Sequence, residues 1–268
     1  LCLTRRHIHF RVVTHPIFRV ERTAEGIASI NNMDGHGEAE SMVVIELEKA
    51  PDDVLNGVEE EIIDALHDVL IINRDREKID AALKSLTECD QCSTYADFFN
   101  WLGEENVSLF AYRCLRIEPE NNKGDRLVKA VKGQAFGLFE KLFLNYQAGS
   151  RKIADFDPRF QELLLRKERV GMEVLDRVGP VLRADRLIYI GARQELQDGT
   201  WVEHGFIGLA SGSSLSDQTM NVPVLRQKIE DALVVLGVPR GSHDYRKIIE
   251  ILNTYPKIEL FFMNREEI

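Results

Sequence analysis

The sequence predicts a mixed α/β (α+β) protein built as two modules, and three observations carry that reading. β-branched and aromatic runs recur with alternating polarity, apolar residues elsewhere repeat at helical spacing, and both patterns occur in each half of the 268 residues. The formal charge of −10, with 44% hydrophobic and 29% charged residues, is a folding composition. It excludes disorder and collagen-like repetition, and the length is enough to bury a core without covalent staples.

Residues 9–22 read as a half-buried strand interrupted at Pro16, with Phe18 and Val20 alternating against Arg19, Glu21 and Arg22. Ala24-Glu25-Gly26 turns into a returning strand at 27–30, and 31–40 reads as a polar loop. Residues 41–48 supply another strand. Pro51 opens a helix whose first turn carries Asp52 and Asp53, and Leu55, Val58, Ile62, Leu66 and Val69 then share one face. A second helical stretch is expected at 74–86, and the first domain is placed at 1–87.

The second domain, 88–268, begins with an aromatic-rich helix at 95–102 stopped by Gly103, then a strand at 107–117. Residues 119–169 are glycine-rich, basic and weakly periodic, with helical pieces expected at 127–131 and 160–167. Apolar runs at 187–192 and 205–210 flank Asp198-Gly199-Thr200 and predict a hairpin. Pro223 opens a helix with Leu225, Ile229, Leu233 and Leu236 on one face and Gly237 at its stop; Ser242 caps the next, which Pro256 ends before a last short helix.

The acidic balance argues against broad nucleic-acid binding, which needs a basic face; the basic excess between Arg113 and Arg169 reads as solvated helix surface. No apolar stretch is long enough for a transmembrane helix, and the arginines at the start have no apolar signal core behind them. Four cysteines in a chain of this length fit a reducing compartment, so a cytoplasmic location is expected. The first residue is Leu rather than Met, which reads as a fragment.

Dinucleotide and phosphate cradles need closely spaced glycines between a strand and a helix. Gly35-His36-Gly37 lacks the third glycine, and Gly208 and Gly212 are wrongly spaced, so both read as turns. Cys89-Asp90-Gln91-Cys92 has the gap that lets two thiols share a metal or form a redox disulfide; no second cysteine pair completes a zinc site, and linker cysteines are the plainer reading. The histidines His7, His9, His15, His36, His67, His204 and His243 form no i, i+4 pair, and surface or capping roles are expected. Ser211, Ser213, Ser214 and Ser216 lie outside any Gly-x-Ser-x-Gly elbow and read as a polar loop; Glu59-Glu60-Glu61 reads as a solvated helix face.

The stretch Glu203-His204-Gly205-Phe206-Ile207-Gly208-Leu209, then Val222-Pro223-Val224-Leu225-Arg226-Gln227-Lys228, Ser242-His243-Asp244, and Ile251-Leu252-Asn253-Thr254-Tyr255-Pro256-Lys257-Ile258-Glu259-Leu260-Phe261 resembles, in order and spacing, the N-terminal region of the large bacterial NAD-dependent glutamate dehydrogenases. The early strand His15-Pro16-Ile17-Phe18-Arg19-Val20-Glu21-Arg22 is similar to that family's first regulatory module. The resemblance implies a longer enzyme that deaminates L-glutamate to 2-oxoglutarate and ammonia with NAD. Its catalytic and NAD-binding domains then lie downstream, with no catalytic, cofactor or metal residue carried onto this chain. It also implies an ACT-like module, with its first strand and most of its first helix upstream of Leu1, followed by a sensor-like antiparallel α/β module. Implied partners are the downstream catalytic domains, further copies of the chain, and an amino-acid effector whose binding residues are unknown. A freestanding amino-acid-sensing or scaffold protein with the same modules is the alternative.

Overall fold

The computed structural model describes residues 2–121, 124–142, 149–263 and 267. Its contacts divide into two compact units, residues 1–66 and 67–268. The division falls inside a 30-residue helix, α3 (Val58–Thr87), and not at that helix's end, where the sequence placed it.

The first unit opens with α1 (Cys2–Arg5) and continues with strands β1 (Phe10–Thr14), β2 (Ile17–Thr23), β3 (Gly26–Asn31), β4 (Glu38–Ser41) and β5 (Val44–Leu47), then α2 (Asp52–Leu55) and the start of α3. Pro16, which has no N–H for a ladder, separates β1 from β2. β1 pairs with β5, and β2 pairs with β3 and β4, every pairing antiparallel. Two expectations are corrected: part of the 31–40 loop is β4, and the two predicted helices after Pro51 become short α2 and continuous α3. Gly57, at φ +77°, makes the break between them.

Leu3, Ile8 and Val58 form the buried centre of this unit, with Leu47, Val54, Leu55 and Ile62 against them. Arg6 ties it together: its guanidinium donates to Glu61 Oε1 at 2.9 and 2.6 Å and to the carbonyls of Val54 (3.2 Å) and Asn56 (2.6 Å). Phe10, Val12, Val13, Ile17, Ile27 and Ile30 remain exposed.

In the second unit a 3-10 turn (Asp90–Tyr95) leads into α4 (Ala96–Trp101), and helical backbone ends at Gly103, since Glu104 and Glu105 (φ +63°) leave the helical region before the first strand. The strands are β6 (Val107–Ile117), β7 (Leu127–Gly137), β8 (Ser150–Lys152), β9 (Val170–Val178), β10 (Arg186–Glu195) and β11 (Trp201–Ala210). They form one antiparallel sheet in the order β8-β7-β6-β11-β10-β9. The helical piece expected at 127–131 is strand β7. β9 was not foreseen, because glycine and acidic residues break its alternation.

α5 (Phe139–Leu142) and α6 (Pro158–Leu165) lie between β7 and β9; α7 (Gly212–Ser216), α8 (Pro223–Val235), α9 (His243–Thr254) and α10 (Lys257–Phe262) follow β11. One core joins Ile188, Ile190 and Phe206 to α4, α8 and Phe261, and the other joins Leu187, Tyr189 and Ile207 to Phe139 and α6. Covered on both faces, the central strands read as near-continuous apolar runs, which is why β6, β10 and β11 were easy to locate. Asp157 caps α6 by accepting from Phe160 N, and Ser242 caps α9 by accepting from Tyr245 N.

Candidate functional site

The charged centre of the second unit grows from β11, where alternation sends Glu203 and His204 to opposite faces of the sheet. Glu203 is fully buried. Arg166 grips it with two hydrogen bonds, Nη1 to Oε1 at 2.9 Å and Nη2 to Oε2 at 3.1 Å, while Arg193 Nε donates to Oε2 at 3.3 Å and Tyr189 OH to Oε1 at 3.5 Å. One carboxylate therefore serves two buried guanidiniums, and carbonyls take up more of their donors. Arg166 Nη1 donates to Leu163 O at 2.7 Å, Arg193 Nη1 to Arg166 O at 2.7 Å, and Arg193 Nη2 to Leu164 O. Those carbonyls close the C-terminal end of α6, where the helix dipole is negative and unpaired C=O groups need donors. Burial is the largest influence on Arg193 and lowers its pKa from the ordinary value; Glu203 opposes that shift.

Glycines make room for the cluster. Gly171, Gly191 and Gly205 face one another across β9, β10 and β11. A Cβ on Gly191 would lie 2.1 Å from Glu203 Oε1, on Gly205 2.4 Å from Tyr189 OH, and on Gly171 2.5 Å from Arg166. Trp201 stacks beneath both Arg126, at 4.0 Å, and Arg193, at 4.3 Å. Through these bonds the cluster ties the end of α6 to β10 and β11, while Arg166 Nε stays buried without a hydrogen-bond partner among the described residues.

On the opposite face His204 Nδ1 shares a 2.9 Å hydrogen bond with Tyr112 OH, while Nε2 is buried with no hydrogen-bond partner among the described residues. Burial pulls the imidazole pKa down to about 4 and pushes the Cys114 thiol, opposite it in register, up to about 11. Tyr112 is raised as well, by burial first. Neutral imidazole is the form this apolar setting favours.

Beside the glutamate cluster, β9, α6, α8 and the segment after α10 line a cleft of about 730 Å³. Arg166 and Gly171 reach its wall, so the buried cluster borders the open space. Lys228 crosses from α8 to cap α10, donating to Phe261 O at 2.7 Å and Met263 O at 3.1 Å; burial lowers its pKa. Glu173 is raised above the ordinary carboxylate value, chiefly by burial; Arg159 opposes this and Asp157 and Glu162 add to it. Both charge signs thus line a space large enough for a small polar molecule.

The residues singled out in the sequence lie apart from this centre. Cys89 is half-buried and Cys92 fully buried, at the start of the 3-10 turn before α4. Among the described residues no group of three or more His, Cys, Asp or Glu side chains could hold a metal ion. His7, His9, His15, His36, His67 and His243 do not join the cluster, and His204 is a half-buried partner of Tyr112 rather than a surface residue. The serine-rich stretch is short helix α7, with Ser211 accepting from Ser214 N at 3.1 Å. Gly208 packs where a Cβ would lie 2.6 Å from Ser108 O, a close strand contact. Arg166 lies 37 residues before Glu203 and leaves no local trace, whereas Arg193 faces Glu203 directly across the β10–β11 ladder. The available signal was a charged residue two positions from a glycine in each of two paired apolar strands, Arg193 with Gly191 and Glu203 with Gly205.

Comparison with known proteins places these elements. The family model described as glutamate dehydrogenase, helical motif 1, matches residues 222–268, which hold α8, α9 and α10. The chain is 25% identical over 172 residues to the NAD-specific glutamate dehydrogenase of Mycobacterium tuberculosis, covering 64% of this chain and 9% of that protein. It is 20% identical over 283 residues to the NAD-specific glutamate dehydrogenase of Halomonas elongata, covering 99% of this chain and 17% of that one. The motifs in β11 and the C-terminal helices therefore resemble the family that the comparisons find: this chain is similar to NAD-specific glutamate dehydrogenases and spans less than a fifth of the length of either relative.

Proposed function

We propose that this chain is a non-catalytic regulatory and assembly segment from the N-terminal region of an NAD-dependent glutamate dehydrogenase. The whole enzyme would convert L-glutamate and NAD to 2-oxoglutarate and ammonia, with NAD bound by domains downstream. The observation that carries the reading is the strand pairing. Every described pairing is antiparallel, whereas a dinucleotide crevice forms at the carboxyl ends of parallel strands joined by crossover helices. The small share of each relative that the chain covers supports placing the chemistry elsewhere.

The exposed apolar residues of β1, β2 and β3 support assembly, either with the catalytic domains or with further copies of the chain. In this reading the first unit is the ACT-like module, the second is the sensor-like one, and the protein works in the cytoplasm. An amino-acid effector would act by binding two conformations unequally. The cleft beside Arg166 offers the space and both charge signs that a zwitterion needs.

The test compares glutamate-dependent NAD reduction by the intact gene product and by this chain alone. Activity is expected only in the former, and turnover by this chain would overturn the assignment. If a panel of amino acids changes neither the melting temperature of this chain nor the glutamate kinetics of the intact protein, the effector role fails.

A further inference from the structure

The Cys89-Asp90-Gln91-Cys92 segment takes no part in the glutamate cluster or the cleft, yet it is held in place with unusual care. Cys92 N donates to Cys89 O at 2.9 Å, closing a four-residue turn. Such turns bring their end Cα atoms within about 7 Å, the range a disulfide spans. Between the two cysteines, Gln91 clamps the turn to the end of β10: its Nε2 donates to Glu195 O at 2.8 Å, and its Oε1 accepts from Glu195 N at 2.9 Å and Arg169 Nη1 at 2.7 Å. Cys92 Sγ donates weakly to Arg193 O at 3.9 Å from inside the core, whereas Cys89 is open in part to solvent. A metal would need ligands that the described residues do not bring together.

We propose that Cys89 and Cys92 form a dithiol modification site that hydrogen peroxide converts to an intrachain disulfide. The Cys89 thiolate, the one solvent reaches, attacks a peroxide oxygen: an S–O bond forms, the O–O bond breaks, and the departing hydroxide takes up a proton to become water. Cys92 sulfur then displaces the sulfenic oxygen. The S–S bond forms as the S–O bond breaks, and the proton from Cys92 leaves with that oxygen as a second water. Each sulfur gives up one electron and the peroxide accepts two.

The test treats the purified, folded chain with hydrogen peroxide, alkylates it after unfolding, and maps cysteines by mass spectrometry. The expected product has Cys89 and Cys92 joined, released by dithiothreitol, with Cys2 and Cys114 alkylated. Cys89→Ser is expected to leave Cys92 fully alkylatable after the same treatment, with the fold checked by circular dichroism. Three results would each overturn the proposal: both thiols intact while exposed Met33 and Met42 oxidise, Cys89 driven to sulfinic acid beside a free Cys92, or disulfides scrambled to Cys2 or Cys114. If Cys89→Ser does not fold, the products from the unaltered chain decide alone.

Discussion

Gly191 lies directly opposite Gly205 across the β10–β11 ladder, and the space above Gly191 is filled by the carboxylate of Glu203. A methyl group at Gly191 would come within 2.1 Å of Glu203 Oε1. The carboxylate has nowhere to retreat, because two arginines hold it. Gly191→Ala is therefore expected to destabilise the second unit by about 1–3 kcal/mol, the usual cost of overpacking. Gly212→Ala, with no atom within 4 Å of the new Cβ, is the control and should be near neutral. Urea denaturation of both variants decides; equal stabilities would show that the strands relax around the methyl.

Glu203→Gln keeps the shape and removes the charge. Two guanidiniums would then be buried without a counter-ion, and a broken buried pair typically costs about 3–5 kcal/mol. The Glu203→Gln, Arg166→Met double variant is expected to recover part of that loss. Chemical denaturation of the two singles and the double measures the coupling, and strictly additive losses would contradict it.

His204 gives the chain a pH dependence with a defined sign. Its folded pKa of about 4 lies below the ordinary histidine value, so between those two values the unfolded chain binds more protons than the folded one. The stability tied to the neutral imidazole is fully present above about pH 6.5 and is lost as pH falls toward 4. His204→Phe is expected to flatten the denaturation midpoint between pH 7 and 5. An unchanged slope would mean that His204 is readily protonated in place.

Asp75 is the carboxylate counterpart. It is buried, accepts from Arg74 and Lys78, and takes the backbone N–H of Gly137 at 3.0 Å. The Arg74 hydrogen bond is the largest of the effects holding its pKa well below the usual range. Its contribution is present above the ordinary aspartate pKa of about 4 and is lost as pH falls through the depressed one. Asp75→Asn should be less stable at neutral pH, with a smaller further loss on acidification. Thermal melts from pH 6 to 3 test both halves.

The sequence made the central strands and the capped helices legible because their signals are local. β6, β10 and β11 are apolar runs, and α8 and α9 are punctuated by Pro223, Gly237, Ser242 and Pro256. Leu127–Gly137 was misread in part because Gly133 and Gly137, both at positive φ, interrupt its alternation. The helix break after Asp52–Leu55 depended on Gly57, whose backbone sign leaves no periodic trace. In the charged cluster, Arg193 and Glu203 are paired by the hairpin register, but Arg166 comes from the distant end of α6 and no spacing points to it. The thiol pair was visible as a motif, but the Gln91 clamp that fixes its position was not.

The opposed side chains of Glu203 and His204 make β11 intolerant of slippage. A shift by one residue would drive the carboxylate among the aromatic rings and set the imidazole between two guanidiniums, so a misaligned strand is penalised on both sides at once. A single-residue insertion or deletion between Trp201 and Gly205 is thus a far harsher lesion than the same change in the Asp198-Gly199 turn, where the ladder can keep its alignment.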